Sequence, residues 1–154
     1  RQRQMCIRDR PYDADLQTII LNTEIAAGIE IPDARYKDWF PNFTLGDLIC
    51  DDTATGLIVV GNKVDPLDID AFAHVQLNLY KDEELIATGD SSEVLGNPLN
   101  AVLWLIKKLH SHGKQIKKGQ VISSGTFISP LKLEYGTYRA EYSGIGTVEF
   151  KVSK

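Results

Sequence analysis

The sequence predicts an α+β fold built on a mainly antiparallel, rolled β-sheet with one long helix. Two observations support this prediction. From Val75 onward, apolar and polar residues alternate with a period of two in short runs separated by Gly, Pro or charged residues, a pattern typical of antiparallel strands. Between those runs, residues 97–112 have the apolar periodicity and the end signals of one long amphipathic helix.

The first predicted elements are a helix and a strand. Residues 13–25 place apolar side chains about one helical turn apart, with Asp13 in a position to cap the start. Residues 26–31 are apolar apart from Glu30, and the Pro32 that follows them favours extended geometry in the residue before it. This segment predicts a buried strand that contains one carboxylate.

A connection and a second strand follow. Residues 36–55 mix aromatic, acidic and turn-forming residues with little periodicity, which indicates an irregular connection with a short helical turn near residues 45–49. Residues 56–61, GLIVVG, form a short apolar run bounded by glycines. Such a run predicts a strand that is buried on both faces.

The second half of the chain predicts a hairpin, the long helix and further strands. Two alternating runs flank a polar turn at residues 81–84 and predict a β-hairpin. The long helix has Asn97 as its N-cap, Pro98 at its first position and Gly113 as its stop signal. Its apolar stripe consists of Leu99, Val102, Leu103, Ile106 and Leu109. Four later runs predict strands, at residues 121–127, 131–136, 138–142 and 146–152.

Length and composition are those of one soluble globular domain, with 154 residues of which 43% are hydrophobic and 25% are charged. The first ten residues, RQRQMCIRDR, contain four Arg and one Asp and have no apolar periodicity. They fit no targeting signal, so we interpret residues 1–10 as a non-native leader. The expected domain is therefore residues 11–154.

The body of the chain is acidic and has no sign of nucleic-acid or membrane binding. Removing the leader's charge of +3 takes the net charge from −4 to −7, whereas a nucleic-acid-binding domain normally has a basic stripe. No run approaches the roughly 20 apolar residues of a membrane span. Cys50 is the only cysteine in residues 11–154, which excludes an internal disulfide framework and favours a reducing, cytoplasmic location.

Glu30 is the first residue that indicates chemistry, because it is a carboxylate inside an apolar strand. A buried charge requires a partner. One interpretation is structural: an ion pair with Arg35, or a carboxylate at the strand end that turns toward solvent. The other interpretation is a ligand of a hard divalent cation, since Mg²⁺ and Mn²⁺ bind oxygen donors.

Four stretches resemble one enzyme family in their order and spacing. They are IEIPDARYKDW, GDLICDDTATGLIVVG, the long stretch that contains LGNPLNAVLWL and SSGTF, and YSGIGTVEFKVS. Together they resemble the 2-keto-4-pentenoate hydratases and their sister 4-oxalocrotonate decarboxylases, which have the wider fumarylacetoacetate hydrolase fold. The resemblance covers nearly all of residues 13–153. It implies that the chain corresponds to the C-terminal part of such a catalytic domain and is incomplete at its N-terminus.

The resemblance implies a metal-dependent lyase. In this family three carboxylates hold the divalent ion; Glu30 matches one of them, and the Glu-x-Glu strand that supplies the other two has no match in this chain. The implied cofactor is Mg²⁺ or Mn²⁺, which a 2-oxo acid chelates so that the enolate is stabilised. Water then adds to a 2-hydroxy-2,4-dienoate and gives a 4-hydroxy-2-oxo acid, in the meta-cleavage catabolism of aromatic compounds.

The resemblance also implies a catalytic segment at residues 51–55. Asp51 matches the Asp of a D-N-x-S pattern. This chain has Ala54 where the family has Ser, so the hydroxyl near the substrate falls to Thr53 or Thr55. The structural alternative is a threonine that satisfies the backbone of a turn.

A substrate-binding loop is implied at Gly125 and Thr126, which match a T-G-A-L-type loop. There the glycine allows close backbone approach, and the groups after it donate hydrogen bonds to the carboxylate of the substrate. The structural alternative for Gly125 is a turn residue at a strand end.

Three functions stay open at this point. The first is the hydratase, the second is the sister decarboxylase, which releases CO₂ from an oxalocrotonate, and the third is a non-catalytic subunit. The resemblance implies a homo-oligomer, or a complex with a partner decarboxylase or hydratase, that acts on a small 2-oxo acid. With one metal carboxylate of three, this chain is expected to be inactive on its own.

Overall fold

The computed structural model describes residues 14–37 and 42–154, so the predicted leader at 1–10 and the predicted cap Asp13 lie outside the described residues. Its elements, in chain order, are α1 (Leu16–Leu21), β1 (Ile25–Ile31), α2 (Leu45–Cys50), β2 (Leu57–Val64), α3 (Ile69–Phe72), β3 (Gln76–Lys81), β4 (Glu84–Asp90), α4 (Pro98–Ser111), β5 (Gly136–Tyr142) and β6 (Gly146–Val152). β1 and β2 form a two-stranded sheet, and the other strands form a sheet in the order β4-β3-β5-β6. All of these pairs are antiparallel, which confirms the α+β class.

The four-stranded sheet is made of two hairpins joined through β3 and β5. In the β3–β4 hairpin, Asp82 and Glu83 have left-handed backbone angles (φ 48° and 70°), which match the right-handed twist of the flanking strands. The predicted hairpin and the predicted strands at 138–142 and 146–152 are confirmed. The inner face of this sheet packs against Ala27 of β1 in a core that also contains Leu77, Leu79, Ala140 and Val148.

Helix α4 begins and ends where the sequence predicts. Asn97 Oδ1 accepts a hydrogen bond from the Leu99 backbone N–H at 3.0 Å, Pro98 stands at the first position, and Gly113 has the left-handed φ of 67° after the end. The Asn97 amide also donates to the carbonyl of Ile69 at 2.8 Å, which ties the start of α4 to α3. Its apolar stripe packs on α1 and α3 in a second core around Ile19, Phe72 and Leu99.

The N-terminal helix is shorter than predicted. Asp15 caps α1 by accepting from the Thr18 backbone N–H at 2.7 Å, and the helix ends at Leu21. Ile25, predicted to belong to this helix, is the first residue of β1. Tertiary pairing with Val64 of β2 therefore overrides the helical spacing of this residue. None of the helices within the described ranges is long and apolar enough to cross a membrane.

Strand β2 exists, but the prediction that both of its faces are buried is wrong. Ile58 and Val60 are 44% and 40% exposed, and Leu57 is 72% exposed. Only one face of the two-stranded sheet packs on the core, through residues such as Val59. The short helix predicted near residues 45–49 is confirmed as α2, whose start is closed by a capping box between Thr44 and Asp47.

The strands predicted at residues 121–127 and 131–136 are wrong. Neither segment pairs with a strand, and only Gly136 of the second belongs to β5. Residues 123–127, which we call the SSGTF loop, instead pack closely across β4. A Cβ atom added at Gly89 would lie 2.3 Å from the carbonyl oxygen of Phe127. Within the described residues this segment therefore forms a loop that packs on β4.

Candidate functional site

An open groove of about 1890 Å³ runs along β1 and the segment that follows α4. Its walls are mainly apolar and include the inner face of the four-stranded sheet. Glu30, Gly125 and Thr126 line this groove, whereas Asp51 and Thr53 do not. The structure therefore places three of the five predicted site residues along one groove.

Glu30 lies on β1 opposite Ile58 of β2, and its side chain is exposed at the groove. The prediction that this carboxylate is buried is wrong, because alternate residues of β1, such as Ala27 and Ile29, face the core instead. Among the residues that the structure describes, Glu30 has no ion pair, and Arg35 is bound elsewhere. The structural alternative of a carboxylate turned toward solvent thus describes its geometry correctly.

One carboxylate at a groove fits one ligand position of a hard divalent cation. Within residues 14–37 and 42–154, no group of three His, Cys, Asp or Glu side chains could hold a metal ion. Glu30 therefore offers one carboxylate, and the described residues do not provide a group of three such side chains for a metal ion.

The carboxylate of Asp51 is bound by Arg35 and acts as a structural brace between two segments. The Arg35 Nε donates to Asp51 Oδ1 at 2.7 Å, and the Arg35 backbone N–H donates to the same carboxylate at 3.2 and 3.3 Å. The Arg35 guanidinium also donates to the carbonyl of Thr55 at 2.8 Å. The Asp51 side chain is only 8% exposed, so its carboxylate joins the end of α2 to the segment after β1.

Replacing Asp51 by Ala is expected to lower the free energy of unfolding by about 1–3 kcal/mol, because the bound donors of Arg35 lose their charged acceptor. Urea denaturation measures this change. Asp33→Ala is the matched control, since Asp33 is an exposed carboxylate in the same segment, and it should change stability by less than about 0.5 kcal/mol. Equal stability of the two variants would contradict the role of Asp51 as a brace.

Thr53 lies in a strained turn. Asp52, Thr53 and Ala54 have consecutive positive φ values of 54°, 57° and 56°, in the region that favours glycine. The Thr53 hydroxyl donates to the carbonyl of Asp52 at 2.7 Å, and the Thr55 hydroxyl donates to the same oxygen. Both hydroxyls thus satisfy the turn, as the structural alternative describes. The catalytic roles of Asp51 and Thr53 stay predictions.

The SSGTF loop is shaped by Gly125. This residue has φ 128°, and a Cβ atom added to it would lie 2.9 Å from a methyl group of Val94. The glycine is therefore required by both the backbone and the packing. The neighbouring Thr126 hydroxyl donates to the carbonyl of Ile128 at 2.9 Å, which holds the loop in a tight turn at the groove.

Tyr142 is a groove residue that the sequence analysis missed. Its hydroxyl donates to the carbonyl of Gly28 in β1 at 2.6 Å, and its ring meets Phe127 edge to face with centroids 5.7 Å apart. Burial raises the pKa of Tyr142, and the charge of Glu30 raises it further, so the hydroxyl stays protonated and can donate. Its inward position in β5 follows from the alternation of residues 138–142; the contacts with β1 and Phe127 do not.

No family model matches the chain, but it is similar in sequence to curated proteins that are named hydratases. The chain is 32% identical over 130 residues to the 2-keto-4-pentenoate hydratase of Paraburkholderia phymatum, which covers 83% of the chain and 48% of that protein. It is 34% identical over 124 residues to the 2-keto-4-pentenoate hydratase of Burkholderia vietnamiensis, with 79% and 46% covered. The chain thus spans about half the length of these curated relatives.

The same fold occurs in 4-oxalocrotonate decarboxylase from Pseudomonas putida G7. The structure solved with calcium and acetate aligns with a TM-score of 0.73 at 22% identity, over 87% of this chain and 50% of that one. The structure solved with magnesium and adipate gives a TM-score of 0.71. The sequence matches confirm the predicted resemblance: over most of its length the chain is similar to the 2-keto-4-pentenoate hydratases.

Proposed function

We propose that the full-length protein containing this chain is a metal-dependent hydro-lyase that adds water to a 2-hydroxy-2,4-dienoate and gives a 4-hydroxy-2-oxo acid. The single observation that supports this most is the groove, which is lined by both Glu30 and the SSGTF loop. The names of the curated relatives, which are hydratases, give the reaction class. The finer description, a fumarylacetoacetate hydrolase-like domain acting in the cytoplasm on aromatic catabolites, is part of the same proposal.

In this proposal Glu30 is one of the ligands of a divalent cation, Mg²⁺ or Mn²⁺. The related decarboxylase was solved with calcium and with magnesium, which supports a hard cation with oxygen ligands. When bound, such an ion stabilises the negative charge that develops on a 2-oxo acid during proton transfer. No group of three such ligands occurs among the described residues, so this proposal requires further ligands from outside them.

The residues of the chain itself bind and orient the substrate. Gly125 lets the SSGTF loop pack closely on Val94 and so sets the shape of the loop at the groove, and the apolar wall from Ile58 suits the hydrocarbon part of a dienoate. The Thr126 hydroxyl is bonded within its own loop, so its contribution is to fix the loop. A small, mainly apolar 2-oxo acid with one carboxylate near the metal fits this arrangement.

Metal binding tests the proposal directly. In calorimetric titration, the full-length protein is expected to bind Mg²⁺ or Mn²⁺, and Glu30→Ala should abolish that binding, because one of few carboxylate ligands is lost. The 154-residue chain alone should show no binding, since one carboxylate cannot displace the hydration shell of Mg²⁺. If the full-length protein binds neither metal, the non-catalytic alternative replaces this proposal.

A second candidate is the sister decarboxylase, which the fold shared with the Pseudomonas putida enzyme favours. Both reactions need stabilisation of the same developing charge. Product analysis separates them, because only the decarboxylase releases CO₂. The same full-length preparation, run on gel filtration, also tests the proposed homo-oligomer or complex with a partner enzyme.

A further inference from the structure

We propose that Tyr142 is a positioning residue that holds the strand bearing Glu30 at a fixed place relative to the SSGTF loop. The predicted effect of Tyr142 on metal binding rests on the proposed function, because it acts through Glu30 at the same site. The geometry points to this role because one side chain contacts both components of the groove. The hydroxyl of Tyr142 donates a hydrogen bond to β1, and its ring packs against the SSGTF loop through Phe127.

The hydrogen bond to β1 falls close to the predicted metal ligand. Tyr142 donates to the carbonyl of Gly28, which lies two residues before Glu30 on the same strand. The pairing of β1 with β2 shifts register between Ala26 and Gly28, so the ladder is irregular just before this point. An additional hydrogen bond from another sheet fixes the backbone where its own ladder is disrupted.

The other end of the connection is rigid. Tyr142 lies within β5, which is paired on both sides, with Leu77 of β3 and Gly146 of β6. The ring packs in the core that contains Ala27 and Ala140. The hydrogen bond therefore connects the strand that contains Glu30 to the centre of the larger sheet. This connection matters because the two-stranded sheet has only one packed face.

Two substitutions separate the two contacts. Tyr142→Phe removes the hydroxyl and keeps the ring, so it should loosen β1 and leave the SSGTF loop in place. Tyr142→Leu removes both contacts and should loosen both segments. Tyr138→Phe is the matched control: Tyr138 is on the same strand and the same face, and its hydroxyl accepts from the Glu134 backbone N–H at 3.0 Å.

Amide hydrogen exchange of the full-length protein gives a readout that does not depend on turnover. In Tyr142→Phe, peptides covering residues 25–31 should exchange about 3- to 10-fold faster, the effect of losing one hydrogen bond, with residues 123–127 unchanged. In Tyr142→Leu both peptides should exchange faster. Tyr138→Phe should change only residues 131–135. Unchanged exchange of residues 25–31 in Tyr142→Phe would overturn the proposal.

Metal dependence then links this position to the site. With Tyr142→Phe, the Mg²⁺ concentration for half-maximal activity should rise about 3- to 10-fold, and the KM for the dienoate should not change. With Tyr142→Leu, both values should rise. If Tyr142→Phe leaves the Mg²⁺ dependence unaltered while Glu30→Ala loses activity, the positioning role is overturned and the proposed function stands. A wild type with neither turnover nor metal binding overturns the proposed function and, with it, the link from Tyr142 to a metal ligand.

Discussion

Replacing Glu30 by Gln in the full-length protein is expected to lower the rate of dienoate hydration by about 100- to 1,000-fold, the loss of several kcal/mol of charge stabilisation. Gln has nearly the same size but is a much weaker ligand of a hard cation than a carboxylate. Because the Glu30 side chain is exposed, the free energy of unfolding should change by less than about 0.5 kcal/mol. Steady-state kinetics and urea denaturation of the same preparation measure the two effects.

Glu24 provides the matched control for this substitution. Glu24 also lines the groove and is exposed, and it forms a surface ion pair with Lys63 at 3.0 Å. Such a pair contributes little to stability. Glu24→Gln should therefore keep both the rate and the stability of the wild type. If Glu30→Gln retained the wild-type rate, Glu30 would have no part in the reaction.

Replacing Gly89 by Ala is expected to destabilise the fold by about 2–3 kcal/mol. The added methyl group would lie 2.3 Å from the carbonyl oxygen of Phe127 and 2.8 Å from its carbonyl carbon. These are backbone atoms, so no side-chain rotation can relieve the contact, and the SSGTF loop has to move away from β4. The melting temperature should fall by roughly 5–10 °C, and the KM for the substrate should rise.

Gly28→Ala separates this steric effect from the general effect of adding a methyl group to a strand. The nearest atom to a Cβ at Gly28 is the carbonyl oxygen of Val59, at an ordinary contact distance of 3.8 Å. This variant should be as stable as the wild type or slightly more stable, because alanine loses less backbone entropy on folding. Similar losses of stability in Gly28→Ala and Gly89→Ala would show that the contact with Phe127 is unimportant.

The elements predicted correctly are those with local signals. Helix α4 has its cap, its first proline and its terminal glycine within its own sequence, and the turn at Asp82 and Glu83 lies between two alternating runs. The errors occur where the local structure depends on contacts with residues that are distant in sequence. Ile25 has helical spacing but pairs with Val64, and residues 121–127, predicted as a strand, form a loop that packs on β4. The short helix α3 has no clear pattern in the sequence, and it is placed by packing against α4.

The site shows the same division. Glu30 was predicted as a metal ligand and Gly125, by resemblance, as part of a substrate-binding loop, and both line one groove. The burial of Glu30 was predicted wrongly because an apolar run does not tell which of its faces is covered. Asp51 was assigned by resemblance, and its bond with Arg35, 16 residues away, is visible only in three dimensions. Tyr142 was missed for the same reason, since Gly28 is 114 residues away.

The strand order β4-β3-β5-β6 has a consequence for the kinetics of folding. The two hairpins join strands that are adjacent in sequence, but the central pair brings Lys81 beside Tyr138 across the whole of α4 and the segment after it. Closing so long a loop costs entropy before any contact is gained, so we expect this step to limit the rate of folding. The SSGTF loop lies inside the closed segment, and Tyr142 lies at its end. We therefore expect the groove to form late. A chain that had formed only the two separate hairpins would contain much of the local structure but no binding site.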